Sequence, residues 1–226
     1  MERKIAVEVT VNPQIREIFP DFKIGIIQYN NITVSDSPQM LKGRLQLFQE
    51  QLFFDLEDKE ITDFPGLLEW QVLWKALGAD PSRYRPSAEA LFRRIKKQNY
   101  LSPVHSAVDM NSFLSLQYEI PLGLYDADKI SGAVSISIGT EDDRYEGLNN
   151  RVNTLKRILV SKDSEGAFGS PYVDSKRTAV TEETTNALHL FYLRPSMDRD
   201  AAIQLLTAAS KMFTGINGGE AEIAVV

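Results

Sequence analysis

The chain has 226 residues, of which 43% are hydrophobic and 25% charged, with a formal net charge of −6. This composition is typical of a soluble globular protein, and the absence of cysteine excludes disulfides, thiol nucleophiles and thiolate metal sites. The sequence shows neither an N-terminal signal peptide nor a run of about 20 apolar residues, so we expect a cytoplasmic protein without membrane contact.

The first half of the chain is predicted to be mainly helical. Residues 4–10 and 22–34 read as strands, and a short helix is predicted between them, from Pro13 to Phe19. Two longer helices follow, each with an apolar stripe at spacings of three and four: Leu41, Leu45, Phe48 and Leu52 in one, and Leu67, Trp70, Trp74 and Leu77 in the other. Gly78 is expected to end the second of these helices.

A proline-broken connector over residues 80–87 leads to the most basic part of the chain. Ser87 is predicted to cap a helix whose apolar side consists of Ala88, Leu91, Phe92 and Ile95. The other side carries the cations Arg93, Arg94, Lys96 and Lys97. A solvated helix face is one interpretation of this cluster, and binding to RNA phosphates is the other.

The second half is predicted to be rich in strands. A helix is expected from Pro103, with Val104, Val108 and Leu114 pointing inward, and a last helix is capped by Asp198. Strands are predicted over 133–138, 155–160, 187–193 and 221–226. This order predicts the α+β class, a mainly antiparallel β-sheet core flanked by helices. Without an internal repeat or long linker, residues 1–226 are expected to form one domain.

The polar segment from Ser161 to Asn186 is the stretch in which the sequence most favours a functional site. In a pocket, Gly166 and Gly169 would let a ligand approach the backbone, and Arg177 would hold an anionic or carbonyl oxygen. In a purely structural loop, Asp174 or Ser175 would bond to backbone N–H groups and Arg177 would pair with Asp174.

The two histidines are not predicted to be catalytic. Because the chain has only two, a metal site built from histidines is not expected either. His105 precedes a helix, where a cap or a surface group is expected. His189 lies within a predicted strand, where a packed or solvated side chain is expected.

Three motifs occur in a fixed order within about residues 85–195. The first is the VDMN sequence at Val108, Asp109, Met110 and Asn111. The second motif begins with a proline and comprises Pro121, Tyr125, Asp126, Asp128, Ile130 and Gly132. The third motif comprises Val180, Glu183, Thr184 and Asn186. On these motifs the region resembles the tRNA-binding and editing module of the bacterial phenylalanyl-tRNA synthetase beta subunit. The additional N-terminal part, residues 1–84, and the Asp-Ser-x-Arg-Thr sequence at 174–178 resemble the freestanding form of that module.

The resemblance implies a β-rich core flanked by helices and, in the synthetase, hydrolysis of the ester between tyrosine and phenylalanine tRNA. Two positions depart from the family pattern. Gly123 stands where the synthetase has a histidine, and Lys176 stands where it has a glutamate. We therefore expect the original tyrosine specificity to be lost and the cavity to be enlarged at Gly123.

The first functional hypothesis is an RNA-binding protein that recognises aminoacyl-tRNA and hydrolyses mischarged aminoacyl-tRNA in trans, which would serve translation quality control. The alternatives are a catalytically inactive module for tRNA or a small ligand, and a protein-interaction domain. The resemblance places the substrate-binding residues at Gly123, Tyr125, Asp126, Ser170, Asp174, Ser175, Arg177 and Thr178. Backbone N–H groups near Gly169 and Ser170 would stabilise an oxyanion. The expected partner is tRNA rather than DNA, and no general base, metal or cofactor is predicted.

Overall fold

The computed structural model describes residues 6–80 and 83–226, which contain α-helices and strands arranged in three sheets. In chain order the elements are β1 (Val9–Val11), α1 (Pro13–Ile18), β2 (Ile24–Asn30), α2 (Gln39–Asp58), α3 (Pro65–Ala76), α4 (Ser87–Lys96), α5 (Ser106–Tyr118), β3 (Leu122–Asp126), β4 (Val134–Ile138), β5 (Arg144–Glu146), β6 (Val152–Thr154), β7 (Leu159–Asp163), β8 (Gly166–Gly169), β9 (Ala187–Tyr192), α6 (Arg199–Asn217) and β10 (Glu220–Val225). Short 3-10 helices occupy Ile61–Asp63 and Ala127–Lys129.

The strands form two four-stranded sheets and one two-stranded ribbon, β5-β6. One sheet has the order β10-β2-β9-β3 and is antiparallel throughout. The other has the order β1-β4-β7-β8, in which only the β1–β4 pair is parallel. The predicted α+β class with mainly antiparallel sheet is therefore confirmed.

Strand β9 lies at the centre of the core, and all six of its residues are buried. A strand buried on both faces needs a nearly continuous apolar sequence, which ALHLFY provides apart from one histidine. Helices α5 and α6 pack against this sheet next to β3 and β2. Trp70 of α3 donates from its indole Nε1 to the carbonyl oxygen of Tyr192 at 3.1 Å, which attaches the N-terminal helices to β9.

The apolar stripes predicted for α2 and α3 are confirmed as the buried faces of these helices, although Phe48 is only partly buried. Gly78 adopts a φ of +80° directly after α3, as expected for a residue that ends a helix. Asp198 caps α6 by accepting the N–H of Ala201 at 2.7 Å. These predictions succeed because helix periodicity and capping depend on residues that are close in sequence.

Two predicted helix starts are wrong. The N-cap of α4 is Pro86, and Ser87 is already the first helical residue. Helix α5 begins at Ser106 rather than near Pro103, because His105 caps it and the Asp109 carboxylate accepts the N–H of Val104 outside the helix. Val104, which was expected to point inward, is consequently 63% exposed.

The strand predictions were less complete than the helix predictions. Residues 4–5 of the predicted first strand lie outside the described residues, and pairing begins only at Val9. The strand predicted over 155–160 begins at Leu159, because Arg157 has a φ of +64° in a turn before it. The sequence did not indicate β3, β5, β6 or β8, because strands of three to five residues are too short to show a clear alternation of apolar and polar side chains.

Candidate functional site

The polar segment predicted to carry function, residues 161–186, lies against β3. Tyr125 of β3 forms a bridge with Ala179, and the N–H of Asp126 donates to the carbonyl oxygen of Thr178 at 2.9 Å. The segment is less exposed than its composition indicates, because Ser170, Ser175 and Thr178 are all buried. It also contains strand β8, which pairs with β7.

The phenol of Tyr125 occupies the space between two glycines. A Cβ atom added to Gly123 would lie 2.0 Å from the Tyr125 oxygen, and one added to Gly169 would lie 2.1 Å from it. Both glycines are therefore required so that a buried tyrosine fits between β3 and β8. The expectation that Gly123 enlarges a cavity is wrong, because this tyrosine side chain fills the space that a larger residue would take.

The carboxyl group of Asp174 accepts a hydrogen bond from the Tyr125 hydroxyl. The O–H donates to Asp174 Oδ1 at 2.7 Å, and the N–H of Ser170 donates to the same oxygen at 3.4 Å. Burial raises the pKa of Asp174 to about 7, although hydrogen bonds from Tyr125, Ser170 and Leu124 act in the opposite direction. Asp174 is thus a carboxyl group that changes its charge near neutral pH.

A chain of hydroxyl groups extends from this carboxyl into both sheets. The Tyr192 hydroxyl is hydrogen-bonded to Tyr125 and lies 3.0 Å from Ser161 Oγ, while the Tyr145 hydroxyl lies 3.0 Å from Ser170 Oγ. Burial raises the pKa of all three tyrosines, so each stays protonated at neutral pH. The arrangement can hold one proton on Asp174 or release it, and it ties β3, β7 and β9 together.

Arg177 is engaged by carboxylates other than the one expected. Its guanidinium makes two bonds to Asp163, with Nη1 3.0 Å from Oδ2 and Nη2 2.9 Å from Oδ1, and it lies 3.4 Å from a carboxylate oxygen of Glu165. The predicted pair with Asp174 is wrong, because the Asp174 carboxyl faces Tyr125. These contacts favour a structural role for Arg177, which fastens the segment to the β7–β8 hairpin.

The remaining residues of the segment also make local contacts. Ser175 Oγ accepts the N–H of Arg177 at 3.0 Å, as the capped-loop interpretation predicts. Lys176 pairs with Glu146 of β5 at 2.5 Å. Thr178 Oγ1 is buried and has no hydrogen-bond partner among the residues that the structure describes.

The motifs that carry the family resemblance are joined by side-chain hydrogen bonds. Thr184 donates to the Asp126 carboxylate at 2.8 Å, and Asn186 donates to Asp128 at 3.1 Å. His189 Nε2 lies 2.9 Å from the Asn111 side-chain oxygen, and burial lowers the pKa of this histidine to about 3. His189 is therefore a packed core residue, and these motif positions stabilise the fold.

The basic side of α4 is exposed, as predicted, and it borders a cavity of about 220 Å³. The residues that line this cavity are Arg85, Arg93, Lys96 and Lys97. Arg85 and Arg93 both contact Glu89, with Nε–Oε1 distances of 3.2 and 2.6 Å, and Lys96 lies 3.3 Å from Glu60. Arg94 points elsewhere and donates to the carbonyl oxygens of Asn99 and Tyr100.

The family model for the B3/4 domain matches residues 69–217 of this chain. The chain belongs to the B3/4 domain family. It is 37% identical over 191 residues to the uncharacterized protein YhzB of Bacillus subtilis (strain 168), covering 84% of this chain and 86% of that protein. The membership in this family predicted from the sequence motifs is therefore confirmed.

Other relatives are much longer than this B3/4 protein. The phenylalanine–tRNA ligase beta subunit of Bartonella quintana (strain Toulouse) is 30% identical over 90 residues, which cover 39% of this chain and 11% of the subunit. An N-terminal fragment of the phenylalanyl-tRNA synthetase beta subunit from Pyrococcus horikoshii aligns with a TM-score of 0.46 and 14% identity, over 97% of this chain and 51% of the fragment.

Several residues of these clusters were not identified from the sequence. Tyr192 and Tyr145 come close to Asp174 only in the folded chain, and neither the apolar strand that contains Tyr192 nor the short strand that contains Tyr145 indicates this in the sequence. Arg85 joins the cations of α4 in the cavity because the segment before that helix brings it there. Within residues 6–80 and 83–226, no group of carboxylates and histidines could hold a metal, and no helix is long and apolar enough to cross a membrane.

Proposed function

We propose that this B3/4 protein binds tRNA along the basic side of α4. The observation that carries this proposal is the cavity lined by four cations, Arg85, Arg93, Lys96 and Lys97, on a chain whose net charge is −6. Two carboxylates, Glu89 and Glu60, contact these cations, so the surface keeps a net positive charge. Phosphate groups are the ligands that such a concentrated set of arginine and lysine side chains binds best.

The position of α4 connects this surface to the Tyr125–Asp174 cluster. The N–H of Ser87 donates to the carbonyl oxygen of Pro171 at 2.7 Å, and the rings of Tyr84 and Tyr172 pack edge to face at 5.4 Å. A ten-residue helix is about 15 Å long, so an RNA strand that follows α4 would bring its end to the loop that contains Asp174. The synthetase beta subunits that are similar to part of this chain are named for a tRNA substrate, which supports tRNA as the RNA.

The proposal is tested by the binding of a fluorescent phenylalanine tRNA transcript at increasing salt. We expect the affinity to fall steeply with salt, and the double variant Lys96→Ala/Lys97→Ala to bind more weakly with a salt slope reduced by about two. Lys211→Ala is the matched control, because it removes one exposed lysine from α6 and should leave binding unchanged. Binding that is insensitive to salt, or equally affected by both variants, would contradict the proposal.

Hydrolysis of a mischarged aminoacyl-tRNA in trans is a second candidate, and the observation that favours it is Asp174. A carboxyl group with a pKa of about 7 can accept a proton from an attacking water at neutral pH. The Tyr125 phenol would have to leave the space between Gly123 and Gly169 to admit an aminoacyl group. The test charges the same tRNA with different amino acids and measures the hydrolysis of each ester in the presence of the protein. Asp174→Asn should then stop any deacylation without weakening tRNA binding.

A further inference from the structure

Helix α2 exposes large apolar side chains that the fold does not use. Met40 is 71% exposed and Leu47 is 67% exposed, although they lie on a helix whose opposite face is buried in the core. The two residues are separated by two helical turns, or about 10 Å along the axis. Each of them borders a depression on the protein surface, one on each side of Arg44.

The first depression lies between α2, α5 and α6 and has a volume of about 200 Å³. Its apolar lining includes three methionines, Met40, Met110 and Met212, together with Leu41 and Ile216. Methionine side chains are flexible and polarizable, and they are common on surfaces that adapt to apolar side chains of a partner. Among the described residues, no carboxylate lines this depression, whereas Arg44 and Lys211 do.

The second depression has a volume of about 260 Å³ and is lined by Leu47, Phe48 and Phe113, with Arg44 and two glutamines at its edge. The Phe48 and Phe113 rings pack edge to face at 5.4 Å and form its wall. Arg44 lies over the Phe113 ring at 4.8 Å and so stands between the two depressions. In the part of the chain that the structure describes, neither Arg44 nor Lys211 has an ion-pair partner.

We propose that these two depressions form a docking groove for an acidic amphipathic helix of a partner protein. Apolar side chains at positions i and i+7 of such a helix are about 10 Å apart, the same separation as Met40 and Leu47 along α2. A glutamate at i+3 or i+4 would lie opposite Arg44, and a second carboxylate would lie opposite Lys211. The two depressions are lined by Arg44 and Lys211 and by no carboxylate among the described residues, so their charge is complementary to an acidic helix.

The probe is a synthetic fluorescent peptide of about 18 residues with two leucines seven positions apart and glutamates three and four positions after the first. We expect saturable binding by fluorescence anisotropy, weakened at least about tenfold by Met40→Glu or Leu47→Glu. The matched control is Phe54→Glu, since Phe54 is 64% exposed on the same helix and lines neither depression; this variant should bind normally. Circular dichroism should show that all three variants fold, because the substituted side chains are already in solvent.

Three results would overturn the proposal. Equal binding of a peptide with the same composition but scrambled leucine positions would show that no paired anchors exist. Equal binding of a peptide with lysines in place of the glutamates would exclude acidic recognition. A dimer in sedimentation velocity that Leu47→Glu disrupts and Phe54→Glu does not would show that a second copy of this chain occupies the groove.

Discussion

At the residue scale, the partly buried Asp174 and the fully buried His189 are titratable groups whose pKa values shift in opposite senses. Burial raises the pKa of Asp174 from 3.8 to about 7 and lowers that of His189 from 6.5 to about 3. The stabilising contribution of Asp174 is complete below its unfolded pKa and is lost as the pH rises through 7. That of His189 is complete above pH 6.5 and is lost as the pH falls through 3.

These two contributions oppose each other between about pH 4 and 6.5, and substitution should separate them. In Asp174→Asn, we expect the free energy of unfolding to fall on acidification across this range, relative to the wild type, by up to about 1.4 kcal/mol per pH unit. In His189→Gln, we expect the opposite relative slope. Urea unfolding at several pH values measures both differences, and parallel profiles for the three proteins would show that neither group has a shifted pKa.

At the element scale, the β7–β8 hairpin is held to the following segment by one ion pair with a buried member. The Asp163 side chain is fully buried and accepts both Arg177 nitrogens as well as the N–H groups of Ser131 and Glu165. These hydrogen bonds and the Arg177 charge keep the pKa of Asp163 below its ordinary value, although burial acts in the opposite direction. A buried carboxylate of this kind is costly when its counter-charge is removed.

Arg177→Ala therefore tests whether this arginine is structural or binds a ligand. We expect it to destabilise the protein by about 3 kcal/mol, because Asp163 would be left buried without its cation. Binding of the tRNA transcript should stay within a factor of two of the wild type at temperatures where the variant is folded. Glu165→Ala is the milder control, since that side chain is more than half exposed in its contact with Arg177. Normal thermal stability together with lost tRNA binding would instead assign Arg177 to the ligand site.

At the scale of the whole molecule, residues before 85 supply strands to both sheets. Strand β2 lies between β9 and β10 in one sheet, and β1 is the parallel edge of the other. Residues 85–195 carry the three motifs but supply a neighbouring strand to only one edge of β9, because the strand on its other edge is β2. The prediction that residues 1–226 form a single domain, with 1–84 packed on the 85–195 region, leads to a direct test.

We expect a fragment of residues 85–195 to remain unfolded and the full chain to unfold in one cooperative transition. The fragment lacks β2 and would expose an apolar, hydrogen-bonding edge of β9, and it also lacks α6 and β10, which pack against β2 in the full chain. Circular dichroism and thermal denaturation of the fragment and the full chain provide the measurement. A fragment that melts cooperatively would show that both the N-terminal part and the C-terminal α6 and β10 are separable from this region.

The sequence alone determined the features that depend on near neighbours. The stripes of α2 and α3, the cap at Asp198 and the cationic side of α4 follow from residues up to four positions apart, and strand β9 follows from a continuous apolar run. The motifs also indicated the family, because their order and spacing are preserved along the chain.

Only the tertiary structure decided the roles of the polar residues in the candidate site. Arg177 pairs with Asp163 rather than with Asp174, because strands β7 and β8 bring Asp163 next to it. The Tyr125 side chain fills the space next to Gly123, because β3 and β8 meet there. The unusual pKa of Asp174 likewise depends on burial by residues far away in the sequence. Spacing in a sequence defines which side chains share a face, whereas the partner of a buried charge is set by chain segments that come together only in the folded protein.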